Sequence, residues 1–217
     1  MQTVTHAIIA AAGVGSRLGI DSPKCLLKVN GFPLIYHQLK LLEEIPDVRI
    51  VVGFKEREVI DYVRSIRSDV IFVRNDQYLM TSQNYSYWLA AKDLREPYIL
   101  IDADLYIEKH SFDDFLKESR GDNLIGYTKA KTKDAVFVEI ENGFIHQFNR
   151  ENKKTFEWCN IAYISSIKID RDGKFVYSEL EKFLPLRGKE VNVYEVDTHE
   201  DYEVLEKNLN DLNLQAK

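Results

Sequence analysis

The sequence predicts an α/β domain with a mostly parallel mixed sheet, helices on both faces and a small antiparallel extension. Two observations lead there. Short apolar runs rich in β-formers alternate with helix-period segments through the first 122 residues. From about residue 123 the texture changes to strand pairs joined by a hairpin signal. A third point, the lack of any repeat, low-complexity tract or linker, makes residues 1–217 one domain with two halves, 1–122 and 123–217.

In chain order, strands are expected at Ala7 to Ala11, Arg49 to Val52, Val70 to Val73 and Tyr98 to Ile101. Helices are expected at Pro33 to Glu44, with Leu34, Ile35, Leu39, Leu41 and Leu42 apolar, and at Lys55 to Ile66, with Val59, Ile60, Val63 and Ile66 at helical spacing. Such crossovers connect parallel strands right-handedly, and ligands of such sheets sit beyond the strands' carboxyl ends. Asn123 to Tyr127 reads as a strand, and Glu141-Asn142-Gly143 joins Ala135 to Glu141 with Phe144 to Phe148. Trp158 to Ile164 is a further strand, Val176 to Leu184 a helix, and Glu190 to Val196 a strand. Tyr202 to Leu209 is a helix capped near Thr198, followed by a polar stretch, 210–217, expected to fray.

With 45% hydrophobic and 29% charged residues the chain has ample apolar material for a core. The formal net charge of -6 argues against nucleic acid or anionic lipid as a partner. Cys25 and Cys159 are too few for a disulfide framework or a thiolate metal cage. The opening residues lack the charged and apolar regions of a signal peptide, and no apolar stretch approaches the roughly 20 residues of a membrane span. A cytoplasmic protein, monomeric or homodimeric, is expected.

The chemistry concentrates in three places. The first is Ala11-Ala12-Gly13-Val14-Gly15-Ser16-Arg17-Leu18-Gly19 with Ser22-Pro23-Lys24, a glycine-rich turn after a strand. Small residues there let backbone N–H groups converge on phosphate oxygens, and Arg17 and Lys24 add positive charge. The turn is neither a Walker loop, which needs Gly-Lys-Ser/Thr, nor a dinucleotide fingerprint, because the third glycine comes one place late. The other two places are strand ends: Ile101-Asp102-Ala103-Asp104 and Glu195-Val196-Asp197-Thr198. Acids from two separate strands could bind one Mg2+, which prefers one or two carboxylates with phosphate oxygens and waters. The five histidines show no metal spacing, and no Gly-x-Ser-x-Gly elbow or His-Glu-x-x-His helix occurs.

The glycine turn with Ser22-Pro23-Lys24, and its continuation from Cys25 to Ile35, resembles the signature of the nucleotidyltransferases that activate phosphorylated sugars and alcohols. Asn75-Asp76-Gln77-Tyr78, Ser82 to Trp88, Ile101 to Asp104 and Glu195 to Tyr202 add a resemblance to the phosphocholine cytidylyltransferases and their close relatives. The seven-residue step from Arg17 to Lys24 is closer to the methylerythritol-phosphate and archaeal inositol-phosphate cytidylyltransferases. The resemblance implies a three-layer, Rossmann-like nucleotidyltransferase fold. It further implies a Mg2+-dependent enzyme joining CTP to a small phosphorylated or phosphonate acceptor, for cell-surface glycan or lipid decoration. It makes Lys24 and Arg17 catalytic. Ala11, Ala12, Gly13, Val14, Gly15, Ser16, Gln83, Asn84 and Asp102 become nucleotide contacts, and Asp104 and Asp197 metal ligands. Tyr85, Trp88 and Trp158 with Glu157 are candidates for an acceptor box, since cations favour aromatic faces. Two readings compete: a sugar-1-phosphate enzyme using UTP or dTTP, and a non-catalytic nucleotide-binding regulator.

Overall fold

The structure, a computed structural model of the chain, describes residues 4–131 and 135–215, with side chains left out for Ser16 and 210–215. Strand β1 (His6–Ala11) is a near-continuous apolar run with Ala7, Ile8 and Ile9 fully buried, as expected of a central parallel strand covered on both faces. A two-residue hairpin, β2 (Lys28–Val29) and β3 (Phe32–Pro33), turns through Asn30 and Gly31, both at positive φ, and leads into α1 (Leu34–Leu41). Then come β4 (Asp47–Val52), α2 (Glu56–Ile66), β5 (Val70–Arg74), α3 (Gln83–Ala91) and β6 (Tyr98–Asp102). The four longer strands lie in the order β5, β4, β1, β6, all parallel.

After β6 the chain makes β7 (Leu105–Ile107), α4 (Lys109–Glu118), β8 (Leu124–Lys129), β9 (Phe137–Glu141) and β10 (Phe144–Asn149). It continues with β11 (Phe156–Ile164), α5 (Val176–Glu181), β12 (Leu186–Glu190), β13 (Val193–Glu195) and α6 (His199–Gln215). The antiparallel extension joins the parallel half through β11, which pairs with β6. Strand β11 is irregular: between Trp158 and Ala162 its register against β8 shifts, and Asn160 there has φ 57°. Its first residues turn to pair with β9 as well, so the pairings β11–β8–β12–β10–β9–β11 close a circuit. The turn between β9 and β10 is the expected one, with Asn142 and Gly143 both at positive φ.

Two apolar layers sandwich the sheet. One holds Ile35 and Leu39 of α1, Val59 and Val63 of α2, and Phe112 and Phe115 of α4 against alternate residues of β1, β4 and β6. The other holds Tyr87 and Ala90 of α3 with Val176 and Leu180 of α5. A smaller cluster seats α6, through Leu205 and Leu209, on Leu18, Val29 and Leu34.

Some boundaries differ from expectation, each with a local cause. The stretch expected as one strand, Glu190 to Val196, is divided, because β12 pairs with β8 and β13 pairs with β7. Helix α5 stops at Glu181, short of the expected Leu184, which precedes Pro185. Helix α6 begins at His199 and runs to Gln215, so the helix covers most of the stretch expected to fray. No helix among the described residues is long and apolar enough to cross a membrane.

Candidate active site

The glycine turn leaves the carboxyl end of β1. Gly15 has φ +66°, and a Cβ there would stand 2.6 Å from Lys24 Cγ, so the lysine stem lies flat against a residue that must be glycine. Gly53, after β4, is just as constrained, because a Cβ would meet the Ala12 carbonyl at 2.9 Å. Lys24 opens a one-turn 3-10 helix behind Pro23, with Leu27 N–H donating to its carbonyl at 2.9 Å.

The two distant acids are brought together by the backbone. The N–H of Val196 donates to the carbonyl of Asp104 at 2.9 Å, extending the antiparallel pairing of β13 with β7. Asp197, the next residue, therefore arrives beside Asp104. Helix α6 is capped without it: Thr198 N–H and Oγ1 donate to Asp201 Oδ2, both at 2.8 Å, and Asp201 N–H donates back to Thr198 Oγ1 at 3.2 Å.

Lys24 Nζ donates to Asp104 Oδ2 at 3.3 Å and to Asp197 Oδ1, and Arg17 pairs with the other Asp197 oxygen. Lys24 is mostly enclosed, its side chain 14% exposed, whereas that of Arg17 is 62% exposed. Burial alone would lower the Lys24 pKa, but Asp104 and Asp197 together raise it, so the group stays charged. Asp102 lies behind: Tyr87 Oη donates to Oδ1, Gln83 donates a further hydrogen bond, and Gln38 Nε2 holds the Asp102 and Leu105 carbonyls at 2.8 and 2.9 Å. Burial, then the charge of Asp104, pushes the Asp102 carboxyl up to about 7. Glu195 is raised as well, by burial first and then by the charges of Asp104, Asp102 and Asp197.

Beside these groups lies an open cavity of about 190 Å3. Ala11, Ala12, Gly13, Gly15, Lys24, Gln83 and Asp104 line it, as do Asn75, Tyr78, Thr81, Ser82 and Ser86, which sequence reasoning did not assign. Asn75 organises that last group, donating to Thr81 Oγ1 and Ser86 Oγ, both at 3.1 Å. Val14 is half-buried on the turn and is not in the lining, and the Ser16 side chain is outside the described residues. Asn84 is fully buried and faces elsewhere: its Nδ2 donates to the carbonyl of Asp170.

The four residues of the expected acceptor box fall into separate groups. The Tyr85 and Trp88 rings are 5.4 Å apart, with the Arg171 guanidinium over both. Trp158 packs edge-on to Phe148 and Tyr177 in the apolar layer of α3 and α5. Glu157 is buried one residue earlier, opposite Thr128 in the β11–β8 register, and alternation turns it to the other face.

Among the described residues no group of three or more His, Cys, Asp or Glu is arranged to hold a metal. Asp104 and Asp197 nevertheless already share one cation, the Lys24 ammonium, at the rim of the cavity. Two hard oxygen donors in that position would suit Mg2+, which prefers one or two carboxylates together with phosphate oxygens and water.

Parallel strands with a glycine turn, a lysine and two converging carboxylates at their carboxyl edge fit a nucleotidyltransferase. Residues 7–148 match the MobA-like NTP transferase domain, and the chain belongs to that family. It is 29% identical over 232 residues to the choline-phosphate cytidylyltransferase of Streptococcus pneumoniae, covering 95% of this chain and 99% of that protein. A solved structure of the CTP:phosphocholine cytidylyltransferase from Streptococcus pneumoniae superposes with a TM-score of 0.80 at 25% identity, over 95% of this chain and 100% of the other. The inositol-1-phosphate CTP transferase of T. maritima shares the fold, with a TM-score of 0.77 at 18% identity over 95% and 96% of the two chains.

Proposed function

We propose that the enzyme transfers a cytidylyl group from CTP to a small phosphate monoester or phosphonate, with Mg2+, releasing pyrophosphate. The observation that carries this reading is the convergence of Lys24, Arg17, Asp104 and Asp197 at the rim of the cavity under the glycine turn. Cytidylyltransferases of matching length among the similar proteins favour CTP as the donor.

An acceptor oxygen attacks the α-phosphorus in line, a new phosphorus–oxygen bond forms, and the bond to the bridging β-phosphate oxygen breaks. A phosphomonoester has a second pKa of about 6, so its oxygen is already largely unprotonated near neutrality and no general base is required. The protein's task is alignment and charge compensation. Lys24, fixed by Gly15 and two carboxylates, is set to receive the charge that develops at the α-phosphate. Arg17, exposed and able to swing, suits the departing pyrophosphate. Main-chain N–H groups of the turn from Ala11 to Ser16 hold the triphosphate, and Gln83 reaches the nucleoside. Asp104 and Asp197 would hold Mg2+, which supplies neutralisation of the triphosphate charge. The enzyme works in the cytoplasm as a monomer or homodimer, and its product serves to decorate a cell-surface glycan or lipid.

The test is a panel of CTP, UTP, dTTP and GTP with Mg2+ against small phosphates and phosphonates, read by pyrophosphate release and mass detection of the product. A CDP-linked product is expected. Faster turnover with UTP or dTTP and a sugar 1-phosphate would displace this reading, and nucleotide binding without turnover on any acceptor would leave a regulator.

A further inference from the structure

Lys131, just beyond β8, carries its ammonium back onto the protein. It donates to Thr128 Oγ1 at 3.0 Å and to the Val193 carbonyl at 2.7 Å, and lies 4.4 Å from the centre of the Tyr194 ring. A ring face, a carbonyl and a hydroxyl make a seat for a cation. Glu157, opposite Thr128, adds negative charge there and partly offsets the lowering of the Lys131 pKa by burial.

The seat is connected to the reacting centre. Val193 and Tyr194 lie on β13, whose next residue, Glu195, accepts from Asn160 Nδ2 at 3.3 Å. Asn160 stands one residue beyond the Ile161–Ile101 pair, and Glu195 feels the charges of Asp104, Asp102 and Asp197. Polar groups thus run from Asp104 and Asp197 past Asn160 and Glu195 to Thr128 and Lys131. None of the predicted acceptor residues except Glu157 belongs to this track.

Resting on the cytidylyl-transfer reading, we infer that Lys131 sets acceptor choice. Its ammonium fills the seat a quaternary ammonium would need, and it favours a small phosphate or phosphonate whose far end is a hydroxyl or carboxylate. Thr128 and Val193 take two of the three N–H donors of the ammonium, and the acceptor's oxygen takes the third. A trimethylammonium group offers no lone pair in return and is repelled by the like charge.

The experiment compares wild type, Lys131→Met and Lys131→Arg with CTP and Mg2+ on glycerol phosphate, phosphoglycolate and phosphocholine. Wild type is expected to favour the two oxygen-ended acceptors by at least ~10-fold in kcat/KM, Lys131→Met to reverse that order chiefly through KM, and Lys131→Arg to keep it. A wild-type preference for phosphocholine, or a Lys131→Met effect equal on all three acceptors as a purely structural strap would give, overturns the inference while transfer itself stands. Failure of wild type to make a CDP-linked product from any acceptor ends both readings. Should Lys131→Met lose its thermal transition, Lys131→Gln carries the same expectation.

Discussion

At the scale of single residues, the proposed transfer turns on Lys24, held between the carboxylates of Asp104 and Asp197. Lys24→Ala should lower turnover by roughly 10²–10³-fold, the effect of removing one preorganised electrostatic group, with circular dichroism little changed. Pyrophosphate release near the wild-type rate would remove Lys24 from the chemistry. Asp102 makes a separate prediction. A carboxyl whose pKa is raised on folding keeps a proton that the unfolded chain has released, so its contribution to stability is lost as pH rises through that window. With the folded group at about 7 and the ordinary value at 3.8, metal-free wild type should lose melting temperature relative to Asp102→Asn from about pH 4 to 7, then run parallel to it. A constant gap across that range would mean the group titrates normally. That Lys24, Arg17, Asp104 and Asp197 come together was legible because phosphate chemistry restricts which side chains can serve at a strand end. Asn84 was not, because its neighbour on the chain, Gln83, faces the cavity while Asn84 turns to the Asp170 carbonyl, and a helix start does not announce which way it rolls. Tyr87 and Gln38 were equally hidden, each meeting Asp102 or its backbone from a different helix.

At the scale of elements, the reciprocal cap on α6 does more than begin a helix. Asp201 accepts from the backbone of Thr198, and weakly from that of Asp197 at 3.3 Å, so it fixes the direction in which the Asp197 carboxylate leaves the chain. Asp201→Ala should cost about 1 kcal/mol of stability, the usual loss of a cap interaction, and should also raise the Mg2+ concentration for half-maximal activity. A stability loss with an unchanged metal titration would show that the cap acts on the helix alone. The long apolar strands of the parallel half were readable because they are buried on both faces. The β2–β3 hairpin carried an Asn-Gly signal as clear as that at Asn142 and went unread, its strands being two residues long. Helix α4 has Phe112, Phe115 and Leu116 at helical spacing but is capped by Glu108, which lies outside the preferred cap residues. Strand β7 exists only because β13, far along the chain, lies against it.

At the scale of the whole molecule, the two carboxylates proposed to hold Mg2+ come from opposite halves of the chain, one after β6 and one after β13. Ligand binding should therefore stabilise both halves together. At a concentration 100 times its Kd, a ligand that binds only the folded state adds about 2.7 kcal/mol, which for a chain of this length is roughly 5–10 °C in Tm. CTP with Mg2+ should give that rise, EDTA should abolish most of it, and Asp197→Asn should respond weakly to the metal. An equal CTP shift with and without EDTA would place the nucleotide away from the carboxylates. The division into a parallel half and an antiparallel extension was visible in the change of strand texture near residue 123. The closing of the extension into a circuit was not, since it depends on a register shift around Asn160.

That kink makes one strand common property. Residues 161–164 of β11 are laced to β6, while Phe156 and Glu157 are laced to β9, so neither neighbour can peel away without tearing the other's edge. Urea should therefore melt the parallel half and the antiparallel extension at a single midpoint, whichever tryptophan, Trp88 or Trp158, reports the event.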